Sequence, residues 1–172
     1  MDLESGLIVP LPEATPVVAK WRDRLDAAAA LGVPAHVTVL YPFLPPDRID
    51  TPVLAALGKL FAQVEPFDVE LIDVGWFGRD VVYLAPSPDA PFRRMTAHAF
   101  ARWPQCPPYG GLHGEPTPHL TIGDQGSVEE RLEAASEVAR HLPVDARATE
   151  VWLMAGSAST TWNQLAAFSL GR

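Results

Sequence analysis

Three observations predict an α+β fold for this 172-residue chain. About four stretches with helical spacing interleave with seven or eight strand-like runs, many joined as hairpins. Their order is faintly duplicated: strand, helix and strand in the first part, hairpin, helix and strand in the second. Each part ends on a proline-bounded strand that carries a histidine and, two residues on, a threonine. The length suits one domain covering 1–172, with enough apolar residues (48%) for a substantial core.

Residues 6–11 read as the first strand. Thr15 can cap the helix that follows, Pro16 suits its first turn, and Val17, Val18, Trp21, Leu25 and Ala28 recur at helical spacing as far as Gly32. The strand between Pro34 and Pro42 comes next. Its period of two puts His36 and Thr38 on one face, about 7 Å apart, and Val37 and Val39 on the other. After a turn at 44–47, a second helix opens at Thr51-Pro52, with Val53, Leu57, Leu60, Phe61 and Val64 along one side.

From Phe67 onward apolar and polar residues alternate into a hairpin, with Arg79-Asp80 in its connection and 81–85 as the returning strand. A third helix carries Phe92, Met95, Ala99 and Trp103 inward, leaving Arg94, His98 and Arg102 on a face expected to be solvated. Residues 104–116 have no periodic pattern and read as a loop covering the site. The second histidine strand, Pro118-His119-Leu120-Thr121-Ile122-Gly123, follows directly. Ser127 and Glu130 then form a capping-box pattern for a helix through Val128, Leu132, Ala135, Val138 and Leu142. Two strands close the chain, one within 146–155 and one over 165–170, joined by a turn at 156–161.

Charge and composition exclude several classes. With 13 basic against 21 acidic residues the formal charge is −8, which argues against duplex DNA as a partner, because such binding draws its affinity from phosphate neutralisation. No apolar run approaches the roughly 18 residues of a membrane span, and the first residues lack a basic, apolar leader, so a cytoplasmic protein with no membrane partner is expected. Cys106 has no partner for an internal disulfide and reads as an incidental thiol. No His-Glu-x-x-His, cysteine pair or third ligand beside His113 and His119 suggests a metal, and no cofactor is expected. His113 reads as an exposed loop residue and His141 as a helix-end cation.

A pseudo-twofold fold would bring the two histidine faces to one cleft. Two imidazoles there supply a general base and a general acid near neutral pH, and two hydroxyls beside them can hold the non-bridging oxygens of a phosphodiester. The competing reading is two structural histidines. Matched aliphatic flanks and proline boundaries at both motifs favour the shared site.

At Ala35-His36-Val37-Thr38-Val39, with its Leu40-Tyr41-Pro42-Phe43 tail, and at Pro118-His119-Leu120-Thr121-Ile122, the chain resembles the two-histidine phosphoesterase superfamily, and within it the 2′-5′ RNA ligase and cyclic phosphodiesterase-like proteins. The resemblance implies two pseudo-symmetric lobes of antiparallel sheet with helices outside and a central cleft. It implies His36 and His119 as the acid/base pair, Thr38 and Thr121 as phosphate ligands, and metal-independent action on 2′,3′-cyclic phosphates or 2′-5′ linkages, with reverse RNA ligation as an extension. Phe43 and Tyr109 border the cleft and are candidates for stacking on a base. The expected partner is a nucleotide or RNA end, met by a monomer. A non-catalytic nucleotide or RNA-end binding module, or an esterase on another small substrate in the same cleft, is the alternative.

Overall fold

The computed structural model describes residues 2–171; Met1 and Arg172, the ends of the expected 1–172 domain, lie outside the described residues. In chain order the elements are β1 (Glu4–Pro10), α1 (Thr15–Leu25), α2 (Ala27–Ala30), β2 (His36–Leu40), α3 (Thr51–Ala62), β3 (Phe67–Phe77), β4 (Val81–Ser87), α4 (Ala90–Arg102), β5 (Leu120–Gly123), α5 (Val128–Ala139), β6 (Val144–Ala148), β7 (Glu150–Ser157) and β8 (Thr160–Ser169). They build two four-stranded sheets, β2-β1-β7-β8 and β5-β4-β3-β6, with antiparallel pairing throughout. The α+β class is therefore as the element pattern predicts. The two histidine motifs occupy corresponding places, each on the edge strand of its own sheet.

The helices cross between the sheets. α1, which connects β1 to β2, packs on β5, and α4, which leads from β4 to β5, packs on β2. Two sets of hydrogen bonds pin this exchange. The Thr96 hydroxyl of α4 donates to the Val39 carbonyl of β2 at 2.6 Å, and the Asp124 and Gln125 N–H groups beyond β5 both donate to the Leu25 carbonyl of α1 at 2.8 Å. Gly123 makes the second contact possible, since a Cβ there would lie 2.6 Å from that of Leu25. β2 and β5 are thereby held against each other. One continuous core runs under both sheets, with Leu7, Trp21, Val37, Leu84, Phe92 and Leu120 among its buried members.

Four local expectations are corrected. The first helix does not run on to Gly32: Asp26 is extended (φ −121°, ψ 109°), and its carboxylate accepts the Ala28 N–H at 3.0 Å, opening α2 as a separate turn. Thr15 is the first helical residue rather than a cap, and no side chain caps that end. In α5 the Ser127–Glu130 capping box forms as predicted, but the buried face is Arg131, Ala134 and Val138, leaving Leu132 54% exposed. The Arg131 guanidinium takes the inward position because it donates to the carbonyls of Arg79, Gln125 and Gly126, which satisfies a buried cation. Finally, the strand expected within 146–155 is two strands in different sheets: β6 pairs with β3 and β7 with β1 and β8. Among the described residues no helix is long and apolar enough to cross a membrane.

Candidate active site

Each histidine is held in the same way. His36 Nδ1 lies 2.7 Å from the Pro34 carbonyl oxygen, and His119 Nδ1 lies 2.8 Å from that of Thr117. A carbonyl only accepts, so Nδ1 carries the proton in both rings and Nε2 presents its lone pair away from the backbone. His36 starts its edge strand and His119 directly precedes its own. Both rings are half-buried.

Behind β2 lies a buried ion pair. Arg22 Nε donates to Asp26 Oδ2 at 2.9 Å and a terminal nitrogen donates to the Val33 carbonyl at 3.0 Å, so the guanidinium braces the chain entering β2. Burial, then the Arg22 and His119 charges, lower the His36 pKa to about 4 against its hydrogen bond to Pro34. Burial likewise lowers that of His119, whose bond to Thr117 opposes it. The His119 charge is thus felt at His36.

Two adjoining hollows open beside these rings. One, about 380 Å³, is lined by His36, Thr38, Thr121, Tyr41 and Trp162; the other, about 420 Å³, is lined by His119, Phe77, His113 and Glu115. Tyr109 is common to both. His119 is fixed sideways by Phe77 and Tyr83, whose ring centroids lie 4.9 and 5.5 Å from its own. A hollow of about 530 Å³ beside Leu44, Arg48 and Trp103 contains no histidine.

His36, Thr38 and Thr121 thus line one hollow and His119 the other, with Tyr109 common to both. Of the two candidate stacking residues, Tyr109 lines the cleft and Phe43 does not. Phe43 is 5% exposed and packs edge-on against Trp103 at 5.0 Å, because it follows β2 on the core side; its expected contact with a base is corrected. His113 is exposed beside Tyr109, their centroids 6.1 Å apart. Cys106 is buried, which pushes its thiol pKa up and leaves it a poor nucleophile. Arg94, His98 and Arg102 are solvent-exposed, as expected. Among the described residues, no group of three or more His, Cys, Asp or Glu side chains could hold a metal ion.

Several lining residues escaped sequence reasoning. Tyr41 reads as a core aromatic from its neighbours, yet its hydroxyl donates to Glu4 Oε1 at 2.8 Å. Burial, then that bond, push its pKa up to about 12. Trp162 comes from the β7–β8 hairpin, over a hundred residues from His36, and lies 6.1 Å from Tyr41. Its indole N–H donates to the Ser157 carbonyl at 3.0 Å, and the absent side chain of Gly156 makes room for its ring. No local pattern marks it.

Chemically, the cleft offers two neutral imidazole nitrogens, two hydroxyls and an aromatic wall. The family model described as the 2′-5′ RNA ligase superfamily matches residues 9–159. Among solved structures, Escherichia coli LigT complexed with 3′-AMP is similar at 19% identity and TM-score 0.63, covering 100% of both chains. A structure described as a phosphoesterase matches at 21% and 0.62, over 98% of this chain and 99% of that one. The Thermus thermophilus protein TT0787 matches at 20% and 0.60 over 100% of each. A search of the curated proteins finds no match.

Proposed function

The chain belongs to the 2′-5′ RNA ligase superfamily, and on that premise we propose that it is a metal-independent phosphoesterase acting on 2′,3′-cyclic phosphate or 2′-5′-linked nucleotides or RNA ends. The carrying observation is the matched pair of imidazoles, each fixed through Nδ1 to a carbonyl two residues back, with Nε2 free. One Nε2 takes the proton of water while the other protonates the departing ribose oxygen. Thr38 and Thr121 hold the non-bridging oxygens. The same groups run the reverse 2′-5′ ligation with their roles exchanged, since a general base in one direction is the general acid in the other.

His36 is the base in hydrolysis and His119 the acid. With His36 lowered to about 4, its ring is unprotonated above that pH and ready to act as the base. The arriving phosphodiester anion then raises the pKa of the acid it meets. Tyr41 and Trp162 supply an aromatic wall for the nucleoside, and the crystallisation of LigT with 3′-AMP is in keeping with a nucleotide ligand. With an acidic chain and Glu4, Asp26 and Asp124 on the same hollow, short substrates are favoured over long RNA.

A screen of 2′,3′-cyclic nucleotides, 2′-5′ dinucleotides and cyclic-phosphate-ended RNA, with the His36→Ala/His119→Ala double variant as blank, tests this reading. Turnover of none of them by the wild type, with retained nucleotide binding, would leave a binding module instead.

A further inference from the structure

Tyr109 has relationships that a simple cover loop does not need. Among the described residues it is the only one besides glycine with positive φ, at 50°, a left-handed conformation that a bulky side chain disfavours. Its N–H donates to the Tyr41 carbonyl at 2.7 Å, so the chain is tied to the residue just beyond β2. It lines both the hollow of His36 and that of His119. Tyr109 and the Thr38 side chain line the same hollow.

The cleft poses a charge problem that this residue can meet. Neither hollow is lined by a lysine or an arginine among the described residues. A bound phosphodiester brings one full negative charge, and more accumulates on its non-bridging oxygens as the nucleophile adds. Two threonine hydroxyls supply two hydrogens. We propose that the Tyr109 hydroxyl is a third phosphate ligand, donating to a non-bridging oxygen beside Thr38. This inference rests on the phosphoesterase reading and reassigns Tyr109 from base stacking to phosphate binding.

The ring's surroundings favour the hydroxyl as the working group. The ring already has two ring neighbours, Tyr41 at 6.4 Å and tilted by 58°, and His113 edge-on at 6.1 Å. Burial raises the phenol pKa, with the nearby Thr38 side chain opposing, so the group keeps the hydrogen it must donate. The strained backbone has a use in this picture, because it sets a loop side chain in the hollow that Thr38 lines.

The test compares wild type with Tyr109→Phe, which keeps the ring and loses only the hydroxyl. On 2′,3′-cyclic AMP the variant is expected to lose roughly 10- to 100-fold in kcat/KM, mostly in kcat because charge grows in the transition state, while its Kd for adenosine stays unchanged. Wild-type kcat in Tyr109→Phe, with adenosine affinity lost only in Tyr109→Ala, would assign the ring to stacking and overturn the inference. Should the wild type turn over no cyclic nucleotide, the phosphoesterase reading fails by itself. Calorimetric binding of 2′,3′-cyclic AMP then decides the ligand role alone: weaker binding to Tyr109→Phe upholds it, and equal binding or none to the wild type overturns it.

Discussion

His36 opens one edge strand and His119 directly precedes the edge strand of the other sheet, yet each donates its Nδ1 proton to the carbonyl two residues earlier, at 2.7 and 2.8 Å. The repeated bond makes two equivalent Nε2 groups out of strand pairs that share no hydrogen-bond ladder. Helix exchange between the sheets, α1 on β5 and α4 on β2, then sets how closely they face.

Removing either imidazole should cost about 10²–10⁴ in turnover of the preferred cyclic nucleotide. The double variant should be little worse than the single ones, because acid and base act on one proton-transfer sequence. EDTA should leave the wild-type rate unchanged. Steady-state kinetics on His36→Ala, His119→Ala and the pair checks all three statements, and a near-wild-type His119→Ala would remove the assignment.

The kcat/KM profile should be bell-shaped with its maximum on the acid side of pH 6.5. Its limbs report the free protein, where His36 titrates at about 4 and His119 below its ordinary value; the productive form has one proton on the pair. Activity therefore rises as His36 loses its proton and falls as His119 loses its own. The kcat profile should keep its alkaline limb to higher pH, since bound phosphate raises the acid's pKa. A kcat/KM optimum at pH 8 would contradict the assignment.

The same depression makes His36 a source of acid sensitivity. Unfolded, the ring titrates near 6.5; folded, it titrates at about 4. Between those values the unfolded chain binds more protons, so this group's contribution is intact above 6.5 and lost as pH falls toward 4. Urea midpoints at pH 5 and pH 7.5 should differ less for His36→Asn than for the wild type. Equal differences in the two proteins would argue against a buried neutral imidazole.

Gly156→Ala should weaken substrate binding with little effect on chemistry. A Cβ there would lie 2.6 Å from the Trp162 ring, so the indole must leave its place on the nucleoside wall. Loss of one stacking contact predicts roughly a tenfold higher KM with kcat within about twofold, read with a cyclic nucleotide; an unchanged KM would take Trp162 out of the binding surface.

Much of the site is legible in the chain because it rests on period-two strands. His36 and Thr38, like His119 and Thr121, share a face by alternation alone, and the prolines and glycines around them mark where the strands begin and end. The capping box of α5 is equally local. Its buried face was not, because Arg131 turns inward only where three carbonyls from other segments converge on it. Phe43 follows the same logic: a residue three places beyond a strand faces cleft or core according to what packs there, and Trp103 decides it.

What the amino-acid order determined by itself is the chemistry on offer: two imidazoles, two hydroxyls, and strands that present them in matched pairs. Only the tertiary structure decided their surroundings. Trp162, Glu4 and Tyr109 arrive from separate stretches of chain, and burial lowers both imidazole pKa values, with neighbouring charge adding at His36. The physical reason is range: alternation and capping act over a few residues, whereas desolvation and cavity shape depend on whatever the fold brings within a few ångströms.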